Sequence, residues 1–254
     1  MRRIFYKGIL AEEIKIGGED AAHLMYSMRA KKGERITAVD DANNAAVMEM
    51  VAFSDKEVTL RLVESIDNND DGGLKIILAQ CILKSAAMEL TVQKAVELGA
   101  KKIIPITSRN TVVRFSDEKK AEDKARRWQK IADEAAKQCG ANELTEIAAP
   151  MSLQDFLTEY AGKHIIFCYE NEDAVAFCQQ LKETTGDEII LLIGAEGGFT
   201  LREAEEIIAH GGKAVTLGKR ILRAETAAIV ATALARYLPT IDMASVIPMQ
   251  EKGG

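Results

Sequence analysis

Twice near its C-terminus this chain runs from an apolar segment through a glycine turn into a helical pattern. Leu191, Leu192 and Ile193 read as the end of a buried strand, and Gly194, Gly197 and Gly198 follow, free to take positive φ or to let another backbone or a ligand approach closely. Thr200 with Glu203 three residues on is a capping box, which starts a helix. In the second unit Val215 and Leu217 end a strand, Gly218 turns the chain, and Thr226 to Leu238 is an Ala-rich helix. In open α/β sheets, turns at strand ends are where ligands bind.

The rest of the chain divides at 67–73, a polar, turn-rich stretch without apolar anchors. After it, strands alternate with helices. Leu74–Gln80 is a strand, and Ser85 caps a helix with the face Met88, Val92, Ala95 and Val96, closed by Gly99. Ile103–Ile106 is a strand, and a long helix runs from Asp117 to Gln138 with expected pairs Asp123–Arg127 and Glu134–Gln138. Ser152 and Asp155 open a further helix, Ile165–Tyr169 is a strand, Asp173–Lys182 a helix and Glu188–Ile193 a strand. Such alternation argues a parallel sheet covered by helices. Before the divide, 34–41, 45–53 and 57–64 are short and β-like. Val58, Leu60 and Leu62 alternate there with Thr59, Arg61 and Val63, which suggests a small β-barrel-like domain.

A chain of 254 residues is long enough for two domains with full cores. It has no apolar run long enough to span a membrane and no signal-like start, so a soluble, cytoplasmic protein is expected. Cys81, Cys139, Cys168 and Cys178 show no C-x-x-C spacing and His23, His164 and His210 are scattered, so no metal and no disulfide is expected. The net charge of −6 does not advertise a nucleic-acid partner. Local charge says more: residues 1–35 carry eight basic against five acidic side chains, and 101–137 also lean basic. A solvated helix face explains the second stretch equally well.

The first glycine loop narrows the ligand. It lacks the G-x-G-x-x-G of a dinucleotide site and the Gly-Lys-Ser/Thr of a P-loop. Glu196 among the glycines repels the phosphate that a helix N-terminus otherwise favours. A neutral or cationic ligand held through backbone fits better, such as an adenosine carrying a sulfonium. The alternative is a tight turn that Glu196 merely caps.

Gly194, Glu196, Gly197 and Gly198, with Leu217, Gly218, Arg220, Ile221, Leu222, Arg223, Glu225, Thr226 and Ala227, resemble the paired signature of the RsmE family, the 16S ribosomal RNA uridine-N3 methyltransferases of the SPOUT superfamily. Ala195 stands where that family has Pro. The resemblance extends over Arg2–Phe5, His23-Leu24, Met28-Arg29 and Gly33, then Lys84, Met88-Glu89, Lys94, Glu97–Gly99 and Ile104-Pro105, and finally Arg127-Trp128, Glu134-Ala135 and Gln138–Gly140. Two positions depart: Ala141-Asn142 follow Gly140 where an Arg is usual, and Arg109 precedes Asn110 where the family often has Arg.

The resemblance implies an α/β, SPOUT-like parallel-sheet methyltransferase domain at 74–244, tied in a C-terminal trefoil knot. A small PUA-like β-barrel RNA-binding domain is implied at 1–70. It implies S-adenosylmethionine as cofactor, 16S rRNA or the small ribosomal subunit as partner, and a homodimer. Tyr169 (or Glu170), Ile193, Gly194, Glu196, Gly197, Gly198, Leu217, Gly218, Arg220, Ile221 and Leu222 are then the cofactor contacts. Arg223 is the catalytic candidate, because a guanidinium can stabilise a uracil anion. Arg223 and Glu225 also read as an ion pair or helix cap, and Arg3, Arg29, Arg109 and Arg127 are RNA contacts or ordinary surface charge. His23 reads as a packed residue. Two other functions stay open: methylation of another base or a ribose oxygen, and a non-catalytic RNA-binding assembly protein.

Overall fold

The computed structural model describes residues 3–27, 29–67, 73–115, 117–169 and 175–240. Arg2, Met28, most of the 67–73 divide, Glu170, the expected helix start at Asp173 and residues 241–244 lie outside them. The chain forms two compact units, Met1–Gly72 with Asp133–Leu144, and Gly73–Ala132 with Thr145–Gly254. The sequence reading places 133–144 within the second domain, whereas the structure groups it with the first. Its ties there are tertiary: Lys137 Nζ meets Asp20 Oδ1 at 2.8 Å.

The first unit is one sheet of β1 (Arg3–Tyr6), β2 (Glu13–Gly17), β3 (Arg35–Asp40), β4 (Ala45–Phe53) and β5 (Glu57–Ile66), in the order β1-β3-β4-β5-β2. Only β1–β3 is parallel. Alternation does the folding: Ile14 and Ile16 on β2 and Val58 and Leu60 on β5 turn inward, joining Ile36, Met48 and Met50 in one core. The helix α1 (Gly18–Ala22) runs into a single π turn, His23–Ser27, that seals the core with Ala21 and Leu24 while His23 stays half-buried. The ladder among the described residues is an open path from β1 to β2, so the barrel-like expectation is met in strand content but not by hydrogen-bonded closure.

The second unit builds a parallel sheet from β6 (Lys75–Cys81), β7 (Ala100–Thr107), β8 (Glu146–Ile147), β9 (Met151–Ser152), β10 (Ile165–Cys168), β11 (Val175–Ala176), β12 (Glu188–Ile193) and β13 (Lys213–Thr216). Their order is β11-β13-β10-β12-β6-β7-β8, with β9 beside β7. The central strands read as continuous apolar runs because helices cover both faces: Ile189 to Ile193 are all buried. The helices are α2 (Ser85–Glu97), α3 (Glu118–Cys139, whose last residues from Asp133 group with the first unit), α4 (Leu153–Glu159), α5 (Phe177–Lys182), α6 (Leu201–Ala209) and α7 (Ala224–Tyr237). Gly99 ends α2 at φ +81°, a left-handed position that glycine takes without strain.

Three expectations change in detail. Ser85 is the first residue of α2 and Lys84 is its N-cap, with no side-chain cap bond. The helix expected from Asp173 begins at Phe177, after the two-residue β11. The Asp123–Arg127 pair does not form: Arg126 takes Asp123 and Arg127 reaches Glu89 on α2 at 2.7 Å.

Candidate functional site

The C-terminal ends of β10, β12 and β13 open into a cleft of about 850 Å³ in the second unit, the size of a small-molecule site. Cys168 and Tyr169 reach it from β10, Ile193 and Gly194 from β12, and Val215 and Thr216 from β13. The helices α2 and α7 contribute Ala86, Ala87, Ala224 and Ala227, small residues that leave the space open. Phe199 and Tyr169 supply aromatic wall, each against Phe167, at centroid distances of 6.1 and 5.8 Å.

The glycine loop after β12 is shaped by close approach more than by unusual φ. Of its three glycines only Gly198 is at positive φ, +62°. A Cβ on Gly194 would sit 3.1 Å from the Gly198 Cα, and one on Gly197 would sit 3.1 Å from the Asn110 Cβ. A side chain at either would push the loop open, which corrects the positive-φ expectation for these two. The capping box forms: Thr200 N–H donates to Glu203 Oε2 at 2.9 Å, and Glu203 N–H donates to Thr200 Oγ1 at 3.3 Å. The other Glu203 oxygen accepts from Arg109 N–H at 2.7 Å.

Glu196 neither caps its own turn nor hangs free. Its Oε1 accepts from the backbone N–H of Lys84 at 3.1 Å, across to the start of α2. That contact satisfies the N–H of Lys84, the N-cap residue of α2, which has no side-chain cap of its own. The second loop turns at Gly218, φ +119°, where Thr216 Oγ1 accepts from Gly218 N–H at 3.2 Å and donates to its carbonyl at 3.0 Å.

Of the expected cofactor contacts, Tyr169, Ile193, Gly194, Glu196, Gly198, Leu217, Gly218, Arg220, Ile221 and Leu222 line the cleft, and so does Arg223. Gly197 does not line it; Asn110 occupies the space beside it. Arg223 is the N-cap of α7, exposed, and its guanidinium makes no ion pair or hydrogen bond with any described residue. Glu225 lies in the first turn of α7, where a carboxylate is favoured, and no Arg223–Glu225 pair forms. Lys84, Phe199, Val215 and Thr216 were not foreseen; the last three adjoin the glycine motifs, while Lys84 comes from a distant stretch of chain.

No histidine lines the cleft. Burial pushes the Cys168 thiol up to about 12, so this sulfur is an inert wall and not a nucleophile. Cys81, beneath, is likewise raised to about 12 by burial, which outweighs its hydrogen bonding with Ser108 and Ala195. Among the described residues no group of three or more His, Cys, Asp or Glu could hold a metal ion. The site is therefore a backbone-rich pocket lined by Lys84, Arg220 and Arg223 and by Glu196 and Glu225, without a histidine.

A family model described as an RNA methyltransferase domain matches residues 71–236. The ribosomal RNA small subunit methyltransferase E of Bacillus subtilis is 31% identical over 89% of this chain and 91% of its own length. The chain belongs to this methyltransferase family. A second member, from Buchnera aphidicola of Schizaphis graminum, is 30% identical over 90% of this chain and 93% of its own. The crystal structure of the family's Neisseria gonorrhoeae member bound to S-adenosyl methionine is 28% identical and covers 94% of this chain and 98% of its own, with a TM-score of 0.83.

The structure separates the four arginines proposed to meet RNA. Arg3 donates to the Ala141 carbonyl at 2.6 Å and to Asn142 Oδ1 at 3.1 Å, so it holds the segment that departs from the family pattern. Arg127 is paired with Glu89. Arg29, at φ +48°, and Arg109 are both exposed.

Proposed function

We propose that this protein transfers a methyl group from S-adenosylmethionine to N3 of a uridine in 16S ribosomal RNA. The observation that carries the reading is the cleft itself: two glycine turns at the ends of parallel strands, a rim guanidinium without a partner among the described residues, and no nucleophile or metal cluster among its described lining residues. The cofactor fits the residues present. Gly194 lets the loop close on Gly198 and Phe199, Phe199 and Tyr169 offer aromatic wall, and the lining mixes the carboxylates Glu196 and Glu225 with Lys84, Arg220 and Arg223, as a zwitterionic ligand with a sulfonium, an amine and a carboxylate would need.

When bound, the cofactor supplies an activated methyl on a sulfonium. The protein's own part is positioning and charge. The loops at 193–198 and 217–222 would hold the donor, and such alignment can contribute several kcal/mol, about 7–11 at best. Uracil N3 keeps its proton at neutral pH, so the proton must leave before or during transfer. With no histidine lining the cleft, Arg223 acts by stabilising the anion that forms on the uracil oxygens, and solvent takes the proton. Arg29, Arg109 and Arg127 are exposed and are proposed RNA contacts, Arg127 with a surface pair to Glu89 to give up; Arg3, bonded to Ala141 and Asn142, serves the fold first.

The family resemblance also supports a PUA-like role for the first unit, a trefoil-knotted second unit, a homodimer through that unit and a cytoplasmic site of action. Among the described residues no helix is long and apolar enough to cross a membrane. The test is mass spectrometry of small-subunit RNA from a strain lacking the protein, before and after complementation. Loss and return of an N3-methyluridine supports the reading; a mark on a ribose oxygen or on another base replaces it.

A further inference from the structure

We infer that Asn110 is a positioning residue for the cofactor cleft: its side-chain amide clamps the glycine loop by donating to two successive carbonyls. The inference rests on the reading that the cleft holds S-adenosylmethionine.

The loop from Gly194 to Phe199 has little of its own to hold it. It makes one internal backbone bond, Gly198 N–H to the Ala195 carbonyl at 2.9 Å, and three of its residues are glycine. Glycines lose the most freedom on being fixed, so the loop needs constraint from outside. Asn110 Nδ2 lies 2.8 Å from the Gly197 oxygen and 3.2 Å from the Gly198 oxygen. One amide nitrogen carries two hydrogens, which matches two carbonyls. At the other end of the loop, Gln80 Nε2 donates to the Gly194 oxygen at 3.2 Å. The Gln80 Oε1 is buried without a partner among the described residues, so only its donor end repays the cost of burying that amide.

Asn110 is itself held still. Ser108 N–H donates to Thr111 Oγ1 at 2.9 Å, the two hydroxyls are 3.0 Å apart, and Thr111 N–H closes the turn on the Ser108 carbonyl at 3.3 Å. The neighbouring Arg109 N–H is tied to Glu203 Oε1. Asn110 is thus a fixed post between the end of β7 and the start of α6. It does not line the cleft, so it acts on the ligand only through the loop. The missing Cβ of Gly197 is the other half of the fit, since a Cβ there would meet Asn110 at 3.1 Å.

The test uses the full chain and two variants, Asn110→Ala and the isosteric Asn110→Asp, which keeps the packing but turns an acceptor toward two carbonyls. Calorimetry with S-adenosylmethionine should show affinity about tenfold weaker for Asn110→Ala, from two hydrogen bonds of ordinary net worth. Asn110→Asp should lose more, because unpaired acceptors then face each other. The cofactor KM should rise by the same factors while kcat falls less, and affinity for small-subunit RNA should be unchanged. Unchanged cofactor affinity in both variants overturns the inference. So does a loss of RNA affinity and melting temperature in step with cofactor affinity, since that marks a merely structural role. A wild-type protein that binds no S-adenosylmethionine refutes the reading of the cleft, and the inference falls with it.

Discussion

At the rim of the cleft, Arg223 is the residue whose removal should cost most chemistry and least structure. It is exposed, it caps α7 through its backbone alone, and its guanidinium has no partner among the described residues. Arg223→Ala should therefore lower turnover by about 10²–10³-fold, the usual loss for one oxyanion-stabilising donor. Cofactor affinity and melting temperature should barely move. Single-turnover rates beside calorimetry check this, and unaltered turnover would remove Arg223 from the mechanism. Asp40 is the contrasting case, a buried carboxylate with a structural task. Burial opposes its charge, but hydrogen bonds from Leu10 N–H, the Asn44 side chain and the backbones of Asn44 and Ala42 outweigh that and hold its carboxyl below the usual range. A carboxyl depressed by folding contributes stability above its unfolded pKa, about 3.9, and loses it as pH falls through the folded value. Asp40→Asn should thus lower the melting temperature at pH 7, and the gap from wild type should shrink as pH falls below about 4, where the unfolded chain takes up the proton, and close once the pH passes the lower folded value. Thermal melts at the two pH values decide it; a gap independent of pH would mean that the charge does not matter.

At the scale of elements, the capping box of α6 joins folding to the site. Thr200 and Glu203 satisfy the first donors of the helix, and the same Glu203 anchors the Arg109 turn that carries Asn110. Thr200→Ala removes one cap and should destabilise the protein by about 1 kcal/mol. It should also loosen the glycine loop, because Glu203 then loses a contact that orients it. Hydrogen exchange of the Gly194–Phe199 amides should speed up in this variant; exchange identical to wild type would show that the cap and the loop are independent. The same economy appears at α2, where Glu196 from the glycine loop satisfies Lys84 N–H. Of the three residues that meet the loop, Gln80 lies on β6, Asn110 in the turn after β7, and Lys84 at the start of α2.

For the whole molecule, the sharpest expectation is a homodimer. Ile221 is 82% exposed, but one exposed apolar side chain is ordinary, so the proposed dimer rests on the family resemblance alone. An obligate interface buries roughly 2,000 Å² or more, so light scattering at micromolar concentration should report two chains. A stable single chain there would refute the dimer. The formal charge of −6 makes RNA affinity depend on local cationic edges, consistent with exposed Arg29 and Arg109 rather than with a general electrostatic field.

Period and punctuation in the sequence are enough for the strand–helix alternation after residue 73, for Glu188–Ile193 as a buried central strand, and for the capping box at Thr200. They also mark the two glycine turns at strand ends, whereas the contact residues Tyr169, Ile193, Gly194, Glu196 and Gly198 come from the family resemblance, and Gly197, given on the same ground, does not line the cleft. What lies far apart in the chain stays hidden from such reading. Nothing local says that Lys84 lines the cleft, that Arg127 finds Glu89 instead of Asp123, that Arg3 grips Ala141, or that 133–144 groups with the first unit. Asn110 shows the division most sharply: the sequence marks it only as a departure from a pattern, and its two hydrogen bonds to the glycine loop arise from the way the sheet brings residues 110 and 197 together. Local geometry is written in a few neighbouring residues, whereas the partner of a polar side chain is chosen by which groups the fold buries beside it.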